Sequence, residues 1–452
     1  MDQGQCHIQD WRRPVSPLIH YNIFPFLLIR FMKKTIRFQK ACVIGLGYIG
    51  LPTAALLAKN GVDVLGVDVD RAIIEAVNAG QAPKIEPELN ELLEEVIPRN
   101  HLRASLKPET ADVYIITVPT PFKANHEPDL SFILQAAESI APCLQPNQLI
   151  ILESTSPVGT TEALSQWLSN MRPDLSFPGQ AGEDADIQLA YCPERVLPGK
   201  IIHEMVGNPR IIGGLTSRAA EMALEFYKIF VKGELVKTNA RTAEMCKLAE
   251  NSFRDINIAF ANELSMICEE MGINVWELIS LANRHPRVNI LNPGSGVGGH
   301  CIAVDPWFLV HGAPETSALI QAARYVNDKK PGFIIEKIKR IAAQIVETGA
   351  KKTPLAIACL GLAFKADIDD LRESPSVDIA HQLAKSGYIV YAVEPHIKNL
   401  PDQLKKAGIK LISLAEAMEK ADILVLNVAH KIFMEHLQEL NKKILVNSVC
   451  DS

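Results

Sequence analysis

The segment Pro293-Gly294-Ser295-Gly296-Val297-Gly298-Gly299-His300-Cys301 ends a glycine-rich loop on a cysteine, with four glycines in the six residues before His300. Glycine lacks a Cβ, so such a loop lets backbone approach a ligand closely, at Gly298 for example. A cysteine at a random position is usually a small core residue. At the end of this loop, beside a histidine, Cys301 is instead a candidate nucleophile, because a thiolate attacks an aldehyde readily. Asp305 follows four residues later and would share a face with Cys301 on a helix. Lys247 and Asn251 are also four apart, within Lys247-Leu248-Ala249-Glu250-Asn251-Ser252-Phe253-Arg254. A lysine with an amide one turn later can hold an alcohol oxygen and stabilise charge developing on it, although alone such a pair more often marks a solvated face. Arg254 and the segment His285-Pro286-Arg287 add cations suited to phosphate or sugar oxygens. In Cys192-Pro193-Glu194-Arg195-Val196, Glu194 is a candidate base and Arg195, with Val196 beside it, a candidate substrate contact.

These groups need a scaffold. Strand and helix signals alternate from about Thr35, which predicts a parallel α/β sheet. The apolar run Ala41 to Ile44 ends in Gly45-Leu46-Gly47-Tyr48-Ile49-Gly50, a GxGxxG fingerprint. Alone it is a weak signal. Here it follows a strand and opens a helix, Leu51 to Lys59, and Asp68 closes the next strand eighteen residues after Gly50. The amides of Tyr48 and Ile49 are then placed to meet a pyrophosphate at the helix N-terminus. Asp68 is placed to accept from ribose hydroxyls and to repel a 2′-phosphate, which favours NAD over NADP. Further strands are expected at Val113 to Val118, Leu149 to Leu152 and Leu189 to Tyr191. Ligands sit at the carboxyl ends of such strands, so Thr120, Thr155 and Thr161 can line the nicotinamide half, or simply cap helices.

From about Arg218 to Val326 the pattern reads as long helices without a clear strand, Ala240 to Met271 being the longest. From Leu355 the first pattern returns: an apolar run ending in Gly361, a helix at Pro375 to Lys385, and a strand closing on Glu394. This looks like an internal repeat of one nucleotide-binding βαβ design and implies two nucleotide sites. The expected architecture is α/β: two Rossmann-like parallel-sheet domains, 32–217 and 327–452, joined by a helical central domain, 218–326, with a long spine helix that could serve as a dimer surface.

The bulk numbers exclude other classes. With 48% hydrophobic and 22% charged residues, the 452-residue chain is globular. A net charge of −6 gives no reason to expect nucleic acid or an acidic membrane as partner. Nine cysteines without a CxxC pair indicate neither a disulfide framework nor a zinc site, and no metal is expected; a reducing cytoplasm fits. Residues 1–31 read as an extension ahead of Met32. Their apolar run, Ile23 to Ile29, is too short to span a bilayer.

Taken together the motifs resemble the UDP-glucose/GDP-mannose dehydrogenase family. GLGYIGLP, VPTP, ESTSPVGTT, CPERVLPG, the Lys247/Asn251 helix, GxGGHC and GLAFK…DDLRESP occur in family order from about Met32 to the C-terminus. CPERVLPG, NRHPRVN and GVGGHCIAVDPWF most resemble the members acting on UDP-N-acetyl-D-mannosamine, and His300 stands where UDP-glucose enzymes usually carry serine. The resemblance implies a four-electron oxidation of the sugar's C6, in which two NAD accept hydride. Lys247 and Asn251 would stabilise the oxygen, Cys301 would form a thiohemiacetal and then a thioester, and water activated by Asp305 or Glu194, through Thr155, would release the acid. It further implies Lys365 and Ala366 in the sugar-nucleotide site, Arg372 reaching NAD, and Arg287 reaching a partner subunit's substrate, so at least a homodimer. UDP-N-acetylglucosamine and UDP-N-acetylgalactosamine are the alternative substrates. A one-hydride hydroxyacid dehydrogenase would lack Cys301 and the second α/β unit, and a non-catalytic NAD sensor would need none of Lys247, Asn251 and Cys301. Residues 1–31 have no family counterpart, and Asn447 stands where an aspartate is common.

Overall fold

The computed structural model describes residues 38–447 apart from 84, 85, 87, 198, 300 and 350–352. The expected extension over 1–31, His300 and the last five residues lie outside the described residues.

Eight strands form the first sheet: β1 (Lys40–Ile44), β2 (Asp63–Val67), β3 (Leu102–Ser105), β4 (Val113–Ile116), β5 (Gln148–Leu152), β6 (Ile187–Tyr191), β7 (Arg210–Gly214) and β8 (Leu235–Asn239). Their order is β3-β2-β1-β4-β5-β6-β7-β8. The first six are parallel. β7 runs antiparallel to β6, with Ala190 opposite Gly214, and β8 lies parallel to β7. β4 and β5 are buried at every position, as strands covered on both faces must be, which is why they read as unbroken apolar runs. One core, including Val43, Ile115 and Ile151, packs on one face. A second, including Ile44, Tyr114 and Ile150, packs on the other.

The second sheet has five parallel strands: β9 (Ala356–Leu360), β10 (Ile389–Val393), β11 (Lys410–Leu411), β12 (Ile423–Leu426) and β13 (Ile444–Asn447). Their order, β11-β10-β9-β12-β13, repeats that of the first five strands of the larger sheet. In both, the order reverses beside the first strand, and ligands bind at the carboxyl side of such a switch point.

Between the sheets runs the spine helix, Ala240–Met271, of 32 residues, about 48 Å at 1.5 Å per residue. The Asn239 side chain caps its start by accepting from the Thr242 amide, and Gly272, at φ 68°, ends it. A second long helix, Ala318–Glu347, packs along it. One expectation is corrected here. The stretch from Arg218 does contain a strand, β8, so the first sheet runs on to Asn239, past the boundary expected at 217. The boundary expected at 326/327 falls inside the helix Ala318–Glu347. Among the described residues no helix is long and apolar enough to cross a membrane.

Candidate active site

One face of the spine helix meets the loop that carries the cysteine. Cys301 is not on a helix. It opens a turn whose carbonyl accepts from the Val304 amide at 3.0 Å and the Asp305 amide at 2.8 Å, and the helix Asp305–Gly312 starts only there. The turn still places Asp305 against the spine, where the Asn251 amide donates to its Oδ2 at 2.5 Å. One turn earlier, Lys247 Nζ donates to the backbone carbonyl of Glu194 at 2.6 Å. Burial pushes the Asp305 carboxyl up to about 7, against the pull of Lys247 and the Asn251 bond. Burial, reinforced by the nearby Asp305, pushes the Cys301 thiol up to about 11, while Lys247 and Arg372 oppose it. Asp305 is thus tied to Asn251 by a hydrogen bond and to Lys247 and Cys301 by charge. A carboxyl near 7 can exchange a proton at neutral pH, and a neutral thiol must lose its proton as it attacks.

Glu194 is held differently from the free base expected. Its Oε2 accepts from Arg210 Nη2 at 2.5 Å and its Oε1 from the Arg195 amide at 2.6 Å. Arg210 also donates to Glu153 at 2.9 Å and lies over the Tyr227 ring, 4.4 Å from its centre. Tyr227 donates to Glu153 in turn. Two buried carboxylates thus share one guanidinium, and burial first, then the neighbouring Glu194, raise Glu153 to about 6. Arg195 pairs with Glu250 of the spine at 3.1 Å, and Val196 packs against the first core. Arg210, Glu153 and Tyr227 were not anticipated.

The glycine fingerprint has the geometry a dinucleotide needs. Gly45 has φ +97°, and a Cβ at Gly50 would lie 1.8 Å from the Gly45 carbonyl oxygen. A Cβ at Gly47 would meet nothing within 4 Å, so that position faces open space where a pyrophosphate fits. Asp68 Oδ2 accepts from the Leu46 amide at 2.8 Å, and no side chain caps the helix Gly50–Lys59 at its N-cap, Ile49, which leaves that end suited to an anion. The guanidinium of Arg372, paired with Asp370, lies 5.7 Å from the centre of the Tyr48 ring. The second unit thereby touches the fingerprint. Thr120 donates to the Thr155 carbonyl at 2.5 Å, which ties two strand-end loops together. Thr161 corrects the expectation of a cofactor contact. It is fully buried, and its hydroxyl and amide donate to Glu244 of the spine at 2.6 and 2.8 Å.

The loop glycines are also explained differently than expected. A Cβ at Gly298 would lie 2.6 Å from the Glu373 carbonyl and 2.7 Å from Phe364 Cβ. One at Gly296 would lie 3.0 Å from Pro375 and 3.2 Å from Pro331. The Gly299 amide donates to the Arg372 carbonyl at 3.0 Å. The close neighbour is the protein's own loop, residues 364–375, in place of a ligand.

Lys365 ends that side of the site, with half-buried Ala366 next to it. Burial, then the like charges of Arg254 and Lys200, lower its ammonium, while Glu204 opposes them. Three cations that act on one another through their charge suit a diphosphate. Lys200 was not anticipated. His285 and Arg287 lie in the exposed turn after the helix Val275–Ala282, where the Arg287 amide donates to His285 Nδ1 at 3.3 Å. Glu394 occupies in the second sheet the place of Asp68 in the first. It accepts from the Leu362 and Ala363 amides at 2.7 and 3.0 Å and faces His430 Nε2 at 3.1 Å. Asp367, His396 and His430 cluster nearby, but His430 Nδ1 already accepts from the Asp367 amide at 2.9 Å, so neither ring nitrogen offers a metal a lone pair.

The chain is similar to known proteins along most of its length. Three parts of one family match the chain in order: its NAD binding domain over residues 39–231, its central domain over 241–329 and its UDP binding domain over 358–451. The chain belongs to the UDP-glucose/GDP-mannose dehydrogenase family. It is an NAD-dependent UDP-sugar dehydrogenase. A Campylobacter jejuni protein named UDP-N-acetyl-D-mannosamine dehydrogenase is 56% identical, over 88% of this chain and 97% of its own length. A Ralstonia nicotianae protein named NDP-N-acetyl-D-galactosaminuronic acid dehydrogenase is 52% identical, over 91% of this chain and 96% of its own. The solved UDP-D-ManNAc dehydrogenase of Pyrococcus horikoshii superposes with a TM-score of 0.81 at 37% identity, covering 91% of this chain and 95% of that one.

Proposed function

We propose that the protein oxidises UDP-N-acetyl-D-mannosamine at C6 to UDP-N-acetyl-D-mannosaminuronate, for bacterial surface polysaccharide synthesis in the cytoplasm. The observation that carries this is the meeting of half-buried Lys247, Asn251 and Cys301 around the buried Asp305. The sugar assignment is supported by 54–56% identity to proteins named for that substrate.

NAD, which the glycine fingerprint, Asp68 and Thr120 would hold, would supply the hydride acceptor for each of two oxidations. The protein's own groups do the rest. Lys247 and Asn251 hold the C6 oxygen while its charge grows. Cys301 Sγ then adds to the aldehyde carbon and passes its proton to the aldehyde oxygen. This tether keeps the aldehyde in the site until the second oxidation turns the adduct into a thioester. Asp305 takes a proton from the attacking water, with Thr155 at the strand-end loop to hold it, and Cys301 leaves as the carboxylate forms. Glu194 is the second candidate base, available only when Arg210 releases its carboxylate. The first sheet with Gly45, Gly47, Gly50, Asp68 and Thr120 serves the cofactor, and the second, with Lys365 and Ala366, the UDP moiety. Arg254, Lys200 and Arg195 extend that second set. A homodimer through the spine is supported by its exposed apolar row Phe253, Phe260 and Ile267, spaced by seven, and Met271 beyond them, which are 70%, 50%, 40% and 68% exposed. Arg287 would then reach the partner's substrate.

The test is NADH formed per sugar, with UDP-N-acetylmannosamine, UDP-N-acetylglucosamine, UDP-N-acetylgalactosamine and UDP-glucose compared. Two NADH with the mannosamine substrate preferred is the expected result. One NADH per sugar removes the thioester, and two with another sugar preferred overturns the substrate alone. The 52% identity to the Ralstonia protein makes the galactosamine sugar the second reading.

A further inference from the structure

Behind the cysteine loop lies a chain of buried polar groups between the two long helices. Asn262 of the spine, fully buried, accepts from the Gly294 amide at 2.9 Å with its Oδ1 and donates to Asn327 Oδ1 at 2.9 Å with its Nδ2. Asn327, on the partner helix, donates to Asp255 Oδ1 at 2.8 Å. Arg324 Nη1 donates to that same oxygen at 2.7 Å and reaches the Ile302 carbonyl at 3.5 Å. The chain therefore begins at Gly294, the entry of the loop, and ends at Ile302, the residue after Cys301. All four of its side chains are at most 2% exposed. Asp255 also stands one turn beyond Asn251 and two beyond Lys247 on the spine, so the helix face that holds the reacting oxygen also holds this chain.

An apolar pair of helices would pack without these groups, and burying an ion pair gives little net stability. What such a chain supplies is a fixed geometry, because a hydrogen-bonded network tolerates little displacement at either end. A shift of about 1 Å at the reacting atoms can cost on the order of 100-fold in rate. We infer that Asn262, Asn327, Asp255 and Arg324 are positioning residues that fix the Cys301 loop at both of its ends relative to Lys247 and Asn251. The inference rests on the reading of Cys301 as the nucleophile.

The test uses the full-length enzyme with Asn262→Ala, Asn327→Ala and the double variant, beside Ile338→Val as a stability control in the core of the second unit. Acid formation is followed with saturating NAD and sugar nucleotide, and the alkylation of Cys301 by iodoacetamide is timed by mass spectrometry. Each single variant is expected to lose 10- to 100-fold in kcat, with both KM values within about threefold, and to alkylate at least threefold faster as the loop loosens. The double variant is expected to be no worse than the poorer single, since both cut one chain. Ile338→Val should match the parent in kcat and alkylation. Single variants that lose stability but keep kcat and alkylation rate would overturn the inference, as would losses that multiply in the double variant. Cys301→Ser that still forms acid would instead sink the nucleophile reading, and the alkylation rates would still decide whether the chain positions the loop.

Discussion

The chain has two glycine-rich stretches, and alanine should act on them in opposite ways. At Gly298 an added Cβ would sit 2.6 Å from the Glu373 carbonyl oxygen, 2.7 Å from Phe364 Cβ and 2.9 Å from Pro375 Cδ. Comfortable carbon contacts begin near 3.5 Å, so the Cys301 loop and the 364–375 loop must part by about 1 Å. Two of the three obstacles are a backbone atom and a proline ring, which cannot swing away. Overpacking of this kind costs about 1–3 kcal/mol, and the displacement falls three residues from Cys301. Gly298→Ala is therefore expected to lower Tm by a few degrees and kcat by about 100-fold. At Gly47 a Cβ would meet nothing within 4 Å, and the backbone there is outside the left-handed region. Gly47→Ala should leave the Tm of the cofactor-free protein within about a degree and raise the KM for NAD at least tenfold, because the methyl occupies the pyrophosphate's approach. Calorimetry without ligands and initial rates at varied NAD separate the two. A Gly298→Ala enzyme with parental Tm and kcat, or a Gly47→Ala enzyme that is destabilised yet binds NAD normally, would refute the assignment of one loop to protein packing and the other to cofactor.

Three further outcomes follow from the same geometry. Cys301→Ser should stop acid formation while the first oxidation persists, read as aldehyde or its hydrate by mass spectrometry; parental acid turnover would end the covalent mechanism. Asp305, raised to about 7, should give kcat/KM a limb that rises with pH through about 7, and Asp305→Asn should flatten that limb and cut the rate at least 100-fold. The sign for stability is opposite: a carboxyl raised in the folded state favours folding below the ordinary carboxylate range, near 4, and that contribution fades as pH rises through 7. Asp305→Asn should accordingly gain stability over the parent at pH 8.5 but not at pH 4, by denaturant titration. Lys365→Met removes one of three gathered cations and should raise the KM for the sugar nucleotide at least tenfold, leaving that for NAD within about threefold; equal rises in both would contradict a diphosphate role.

What the sequence disclosed was local. The run into Gly45, the helix behind it and Asp68 form one continuous stretch, and the same stretch recurs before Glu394. Lys247 and Asn251 announce themselves by helical spacing. The misses are groups whose meaning lies in a distant partner. Arg210 opens β7 as a charge ahead of Ile211 and Ile212, and it looks like a loop residue until Glu153, 57 positions earlier, and Glu194, 16 earlier, arrive beside it. β8, Leu235–Asn239, alternates no apolar face because it is an edge strand with most side chains toward solvent. Thr161 carries the look of a cofactor contact, yet its hydroxyl is claimed by Glu244, 83 residues on. The glycines before Cys301 suggest backbone approaching a ligand, whereas Gly296, Gly298 and Gly299 sit against Pro375, Glu373 and Phe364. No local pattern could say that the thing approached is Pro375 and not a ligand.

The spine helix explains why so much of the site depends on one segment. Glu244, Lys247, Asn251, Asp255 and Asn262 follow at spacings of three, four, four and seven, which keep them on one face. Each binds a different segment: Glu244 the turn at Gly159 and Thr161, Lys247 the Glu194 carbonyl, Asn251 the Asp305 carboxylate, Asp255 the Arg324 guanidinium of the neighbouring helix, Asn262 the Gly294 amide. From the first to the last is about 27 Å of helix at 1.5 Å per residue. A helix of this length does not stretch, so it sets the separation of the cofactor-side loops from the cysteine loop more tightly than loop-to-loop contacts could. The glycine loop is caught between this face and the 364–375 segment. Any rotation of the second unit about the spine must therefore carry Phe364 and Pro375 past Gly296 and Gly298, and so disturb Cys301 before it disturbs Lys247 or Asn251. Loss of the second oxidation ahead of the first is the expected signature of mutations that loosen that contact, and a variant there that lost both in equal measure would mean the spine does not hold its end of the site still.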